Sequence, residues 1–199
     1  MTALSFDLAA TALILIDLQR GIVAGTLTPN APADVVARGA ELATAFRTRG
    51  ALVVLVNVDP GENGELFPRP EADQPRPPFT LTPDWTELVP ELGRQPSDVT
   101  VTKHQPNAFY CTDLEVHLRR RNVRTIVLGG IATNLGVEAT ARAAFERGFD
   151  QVFVEDAMTA RGEVLHTHTV TQFFPTIGRV RTTREVIEAL AKAPHPVAP

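Results

Sequence analysis

The sequence predicts an α/β fold: a three-layer α/β/α sandwich of Rossmann-like form around a mainly parallel sheet. Three observations predict it. Apolar runs of strand length, such as Thr11–Asp17 and Leu52–Val58, are continuous rather than alternating, which suits strands buried on both faces. Stretches with helical spacing fall between these runs, so strand and helix alternate along the chain. Two of the strands close on acids, Asp17 and Glu155-Asp156, as happens where the carboxyl ends of a parallel sheet meet a site.

In order, Thr11–Asp17 is the first strand. Pro32 opens a helix running to about Arg49, with Gly50 as its stop and Val35, Val36, Ala40, Leu42, Ala43 and Phe46 as its apolar stripe. Leu52–Val58 is the second strand. Residues 59–98 then change character, carrying nine of the 16 prolines, and read as a long loop or arm. Such a stretch is usually a binding loop, a lid or an interface arm. Trp85, Phe67 and Phe79 give it apolar anchors.

Val99–Thr102 is a strand, Thr112–Asn122 a helix, Thr125–Gly129 a strand and Asn134–Gly148 a helix. Gln151–Val154 is a strand closed by Glu155-Asp156. A helix covers about Glu163–Phe173, Arg179–Thr182 is a last strand, and Thr183–Lys192 is a closing helix before the tail Ala193-Pro194-His195-Pro196. Right-handed crossovers follow. With 199 residues and no internal repeat, one domain spanning 1–199 is the simplest organisation. A chain of this size buries about 70% of the surface it exposes when unfolded.

Composition narrows the function. Hydrophobic residues make up 44% and charged residues 21%, as in ordinary soluble globular proteins. A net charge of -4 without a basic stripe argues against nucleic acid as a partner. Arg119-Arg120-Arg121 ends a predicted helix, where cations suit the negative end of the dipole. The single Cys111 excludes an internal disulfide framework and points to a reducing compartment. No signal peptide or membrane span is expected, so the expected location is cytoplasmic and the expected partner a small-molecule substrate.

Three segments carry the chemistry: Leu13-Ile14-Leu15-Ile16-Asp17-Leu18-Gln19, Val101-Thr102-Lys103-His104-Gln105-Pro106-Asn107-Ala108-Phe109, and Gly129 to Ala141 with Ile131-Ala132-Thr133-Asn134-Leu135-Gly136 at its centre. Asp17 ends the first strand, Lys103 follows the third, and Gly136 opens the helix after the fourth, so the three can converge beyond the strand ends. Alone, the acid would read as a cap or turn residue and the lysine as a solvated surface group. Gly129-Gly130 allows a sharp exit from the strand, and Gly136, Ala139, Thr140, Ala143 and Ala144 let the next helix lie close to the sheet.

In order and character these segments resemble the isochorismatase-like cysteine hydrolase superfamily, from Thr11 to about Leu190, including Val154-Glu155-Asp156-Ala157. The resemblance implies a six-stranded sheet of order 3-2-1-4-5-6, a non-proline cis peptide at Ile131-Ala132, and a homo-oligomer. In thiol-bearing members an Asp is the base, a Lys supports charge, and a Cys forms an acyl-enzyme with an amide. Here Asp17 and Lys103 match, but Gly136 stands at the nucleophile position, and without a side chain it forms no covalent intermediate. Backbone amides at Ala132 and Gly136 are the implied oxyanion- or carboxylate-binding groups.

A Gly-bearing subset of the family cleaves the vinyl ether of isochorismate and releases pyruvate. By that resemblance Asp17 is a proton donor, which requires burial to raise its pKa, and Lys103 opposes that rise. The subset carries an aromatic residue where this chain has Ala132. Two other readings stay open: a catalytically silent member that binds a small carboxylate or amide, and a non-covalent amide hydrolase.

Other candidates are weaker. Cys111 precedes a predicted helix start, which lowers a thiol pKa, yet most lone cysteines are buried and inert. Metal-binding relatives use an Asp and two His after the second strand, and Asp59 has no neighbouring His in the sequence, so neither a metal nor a cofactor is expected. His166 and His168, two apart on a predicted helix, point to different faces. His104 lies either at the pocket mouth or on the opposite face of its strand end. Asp17-Leu18-Gln19-Arg20-Gly21 lacks a dinucleotide fingerprint.

Overall fold

A computed structural model describes residues 4–68, 70–73 and 80–194. Phe79, expected as an anchor of the proline-rich arm, and His195-Pro196 of the tail lie outside the described residues. Six parallel strands form one sheet in the order β3-β2-β1-β4-β5-β6. They are β1 (Thr11–Ile16), β2 (Leu52–Val58), β3 (Val99–Lys103), β4 (Thr125–Ile131), β5 (Asp150–Thr159) and β6 (Arg179–Arg181). The order reverses between β1 and β4, the place where such sheets open a crevice at their carboxyl ends.

Every residue of β1 is buried. Its side chains alternate between two cores: Leu13 and Leu15 face one, Ala12, Ile14 and Ile16 the other. Full burial of each large aliphatic side chain contributes roughly 1.5–3 kcal/mol. The helices are α1 (Arg20–Val23), α2 (Pro32–Thr48), α3 (Leu114–Arg120), α4 (Glu138–Glu146), α5 (Glu163–His168), α6 (Phe174–Ile177) and α7 (Thr183–Lys192). α2 and α7 cover the first core through Val35, Leu42, Phe46, Val186 and Leu190. α3, α4 and α6 cover the second through Leu114, Leu118, Ala141, Ala144 and Phe174.

Local chemistry sets the helix ends. Pro32 starts α2, and Gly50 follows it with a φ of 68°. Gly39, rather than the predicted Ala40, is buried on its inner face beside Ala43: a Cβ on Gly39 would sit 2.7 Å from Leu18 Cδ1. α7 opens with a reciprocal cap, in which Glu185 N–H donates to Thr182 Oγ1 at 3.3 Å and Thr182 N–H donates to Glu185 Oε2 at 2.8 Å.

The structure corrects several predicted boundaries. Glu155-Asp156 does not close β5. The register with β4 shifts between Leu128 and Gly130, and β5 continues to Thr159. The acids sit at that irregularity, where Asp156 Oδ1 accepts from Thr183 N and Oγ1 at 2.7 and 2.9 Å. β4 passes through Gly129-Gly130 to Ile131 instead of leaving the sheet there. Gly130 is needed for close approach: at φ 120°, a Cβ would lie 2.1 Å from Ile16 O. The helix expected from Asn134 is a π-helical turn, Thr133–Val137, leading into α4. The helix expected over Glu163–Phe173 is α5 plus a second π turn, Thr169–Phe173. That over Thr112–Asn122 shortens to α3.

The proline-rich arm is tied down at its second half. Trp85 is 6% exposed and lies against Gly21, and Gly21 N–H donates to Trp85 O at 3.0 Å. Arg20 N–H donates to Glu87 O, and Val89 N–H to Leu18 O. Gln19, fully buried, donates through Nε2 to the carbonyls of Val58 and Trp85 and accepts Val58 N–H at Oε1, so one amide clamps the arm to the ends of β1 and β2. Among the described residues no helix is long and apolar enough to cross a membrane.

Candidate active site

Asp17 follows β1 with a left-handed backbone, φ 52°, and its N–H donates to Val56 O at 2.8 Å. That turn directs the carboxylate at Lys103, the last residue of β3. Lys103 Nζ donates to Asp17 Oδ2 at 2.8 Å. Lys103 is 1% exposed and Asp17 5%, so neither is the solvated surface group its type would suggest. Asp17 Oδ1 is buried and has no hydrogen-bond partner. Burial pushes the Asp17 carboxyl from 3.8 up to about 6, against the opposing charge and hydrogen bond of Lys103.

Gly136 meets the same pair from the other side. An added Cβ would stand 3.2 Å from Asp17 Oδ2 and 3.0 Å from Ile16 Cγ2. The three sequence candidates Asp17, Lys103 and Gly136 are therefore brought together, with the Ile131-Ala132 peptide cis beside them. Two hydroxyls hold the 132–136 turn. Thr140 Oγ1 donates to Gly136 O at 2.7 Å and accepts Ala108 N–H at 3.0 Å, which ties the loop after Lys103 to this turn. At the other end, Thr133 Oγ1 lies 3.1 Å from Thr159 O and 2.8 Å from His166 Nδ1.

In the sequence Gln19 was given no role, Thr140 was read only as a small packing residue, and the Thr133–His166 contact was not foreseen. Gln19 had a readable signal, its place two residues after Asp17. The other two meet only in the fold, through helical backbonding and a helix 33 residues downstream.

The weaker candidates scatter. His104 Nδ1 is 2.8 Å from Asp59 O, and the Asp59 carboxylate accepts Gly61 N–H at 2.9 Å. Both groups shape the start of the arm. Cys111 is exposed, not buried as a lone cysteine usually is, and sits at φ 53° three residues before α3. His166 is buried and His168 exposed, as their spacing predicts. Among the described residues no cluster of three His, Cys, Asp or Glu side chains could hold a metal. A cavity of about 390 Å³ lined by Phe145, Phe149, Asp150, Gln151, Ile177 and Arg179 lies at the amino ends of β5 and β6, at the wrong edge of the sheet for this chemistry.

Comparison with known proteins agrees with the fold. The Isochorismatase domain family matches residues 11–185. YwoC from Bacillus subtilis, an uncharacterized isochorismatase family protein, is 43% identical over 94% of this chain and 98% of its own length. The structure of an isochorismatase family protein from Burkholderia thailandensis shares 44% identity and a TM-score of 0.90, covering 96% of this chain and all (100%) of that one. Ureidoacrylate amidohydrolase RutB from Variovorax paradoxus is 30% identical over 96% of this chain and 85% of its own.

Proposed function

The chain belongs to the isochorismatase family, and from that premise we propose that it is a small-molecule hydrolase that works through Asp17 and Lys103 with no covalent enzyme intermediate. Gly136 takes the family's nucleophile position. The reaction that suits this donor set is hydrolysis of a vinyl ether, as in cleavage of isochorismate to 2,3-dihydro-2,3-dihydroxybenzoate and pyruvate. One observation carries the reading: a buried Asp17 whose pKa is raised to about 6, with Oδ2 held by Lys103 and Oδ1 bare. Such a carboxyl can keep a proton on Oδ1 near neutral pH and deliver it.

The steps balance without a nucleophilic side chain. Asp17 Oδ1–H gives its proton to the terminal vinyl carbon, whose π electrons form the new C–H bond. The adjacent carbon becomes an oxocarbenium ion. Water adds to that carbon, and its proton returns to the Asp17 carboxylate. Collapse of the hemiketal breaks the C–O bond to the ring, its hydroxyl proton passing to the departing oxygen, and releases the ketone of pyruvate and the alcohol. Lys103 holds the carboxylate in register throughout, and the Ala132 and Gly136 amides bind the substrate carboxylate. The test is pyruvate release from isochorismate, with Asp17→Asn as control. Asp17-dependent release supports the reading, and release that survives Asp17→Asn overturns the mechanism.

A second reading, amide hydrolysis by water activated at Asp17, is favoured by the likeness to RutB. Gly136→Cys tests it: a Cβ there meets the Asp17 carboxylate at 3.2 Å, so the thiol lands where that carboxylate can take its proton. Ureidoacrylate hydrolysis by the wild-type chain supports this reading. Hydrolysis by Gly136→Cys alone shows that the missing thiol is what separates the two chemistries.

A further inference from the structure

Proton counting at the Thr133 hydroxyl fixes a direction that coordinates alone leave open. Its Oγ1 has two neighbours, Thr159 O at 3.1 Å and His166 Nδ1 at 2.8 Å. A carbonyl only accepts, so the single hydroxyl proton goes to Thr159 O, and the Nδ1 contact needs a proton from the ring. The opposite polarity would send the hydroxyl proton to Nδ1 and leave two bare oxygens facing each other in a dry interior, since Thr133 and Thr159 are both 0% exposed.

We propose that His166 is the positioning residue of the 132–136 turn: its Nδ1–H donates to Thr133 Oγ1, Thr133 donates to Thr159 O, and this relay sets the direction of the turn's backbone amides. The proposal rests on the hydrolase reading for its effect on rate, but not for its geometry. The relay runs from α5 through the first residue of the turn to the last residue of β5. Thr140 fixes the other end at the Gly136 carbonyl, so the turn is held at both ends by buried side chains. Burial lowers the His166 pKa, opposed by Glu163, so the ring is neutral near pH 7. A neutral ring with its proton on Nδ1 carries a bare Nε2. Protonation at Nε2 leaves the Nδ1–H donor in place, so a positioning His166 adds no limb to the pH profile.

The test uses His166→Asn, whose amide N–H replaces Nδ1–H, against His166→Phe, which fills the space without a donor. Nitrogen NMR of the wild-type ring should show Nδ1 protonated and Nε2 bare. In His166→Phe the amide signals of Thr133–Val137 should shift and exchange faster, with recovery in His166→Asn. On a turned-over substrate, His166→Phe should lower kcat/KM by about 10–100-fold, as small misplacements do. His166→Asn should recover most of that, and Thr133→Val should match His166→Phe without adding to it in the double variant. A ring protonated on Nε2 instead, or equal rates and amide signals in both His166 variants, overturns the proposal. So does loss of a limb from the pH profile in His166→Asn, which would make His166 a titrating catalyst. If no substrate turns over, the hydrolase reading fails, while the ring tautomer and amide signals still decide the relay.

Discussion

The two ends of the sheet each hold an ion pair, partly buried at the amino end and buried at the carboxyl end, and the pairs are built on opposite rules. At the amino end of β3, Arg47 from α2 grips Asp98 with two parallel bonds, Nη2 to Oδ2 at 2.7 Å and Nε to Oδ1 at 3.1 Å. Gln95 N–H adds a bond to Oδ2, and Arg47 Nη1 donates to Leu92 O. Both carboxylate oxygens are used. At the carboxyl end, Lys103 makes one bond to Asp17, and Oδ1 is left bare in the interior. Around it stand a left-handed Asp17, a cis peptide and a π turn. A satisfied pair fastens a helix to a strand. An unsatisfied one, more deeply buried, is poor stabilisation, since two desolvated charges with incomplete hydrogen bonding barely repay their transfer from water. Its form suits a group that must exchange a proton.

That contrast can be broken most forcefully at Asp17. Asp17→Asn should lower kcat/KM by about 10²–10⁴-fold, the range for loss of a general acid, in the pyruvate assay. It should leave stability in urea at pH 7 unchanged or slightly raised, because burial already disfavours the ionised carboxylate that the neutral amide replaces. A large loss of stability, like that expected at the other ion pair, or a surviving rate would erase the distinction between the two ends.

Asp98→Ala is the converse. It should cost about 2–3 kcal/mol, since Arg47 can turn toward solvent, and leave kcat/KM unchanged. A changed rate would mean the amino-end pair reaches the chemistry.

Titration should give smaller effects of predictable sign. The folded pKa of Asp17 is near 6 and its ordinary value 3.8, so between these pH values the folded state binds more protons than the unfolded one. Stability therefore falls as pH rises from about 4 to about 6 and levels off above that range. Asp17→Asn should flatten this component in pH-dependent melts. The rate should decline as pH rises through about 6, as the donor loses its proton. Lys103 lowers the Asp17 pKa, so Lys103→Met should move that decline to higher pH, whatever it does to the maximum.

Legibility in the sequence follows the same division. The strands announced themselves where burial on both faces forced continuous apolar runs, as in β1 and β2, and the strand order agrees with the resemblance. Asp17, Lys103 and Gly136 were readable as a convergent set from their places at strand ends and from the family resemblance around each. What was hidden depended on contacts between distant segments. Glu155-Asp156 looks like a strand end, and only the register shift against β4 carries β5 past it. The proline-rich arm looks irregular, yet Gln19 and Gly21 anchor it at Trp85. His166 looks like an unremarkable helix histidine until Thr133 meets it in the fold. Periodicity reports which face of an element is buried, and it is silent on which partner a buried polar atom finds.

The most direct measurement is the titration of the Asp17 carboxyl carbon by NMR in labelled protein, assigned by its loss in Asp17→Asn. A midpoint near 6, rising in Lys103→Met, is the expected result. A midpoint at or below 3.8 would mean that Asp17 holds no proton to give near neutral pH, and would contradict the proton-donor mechanism directly.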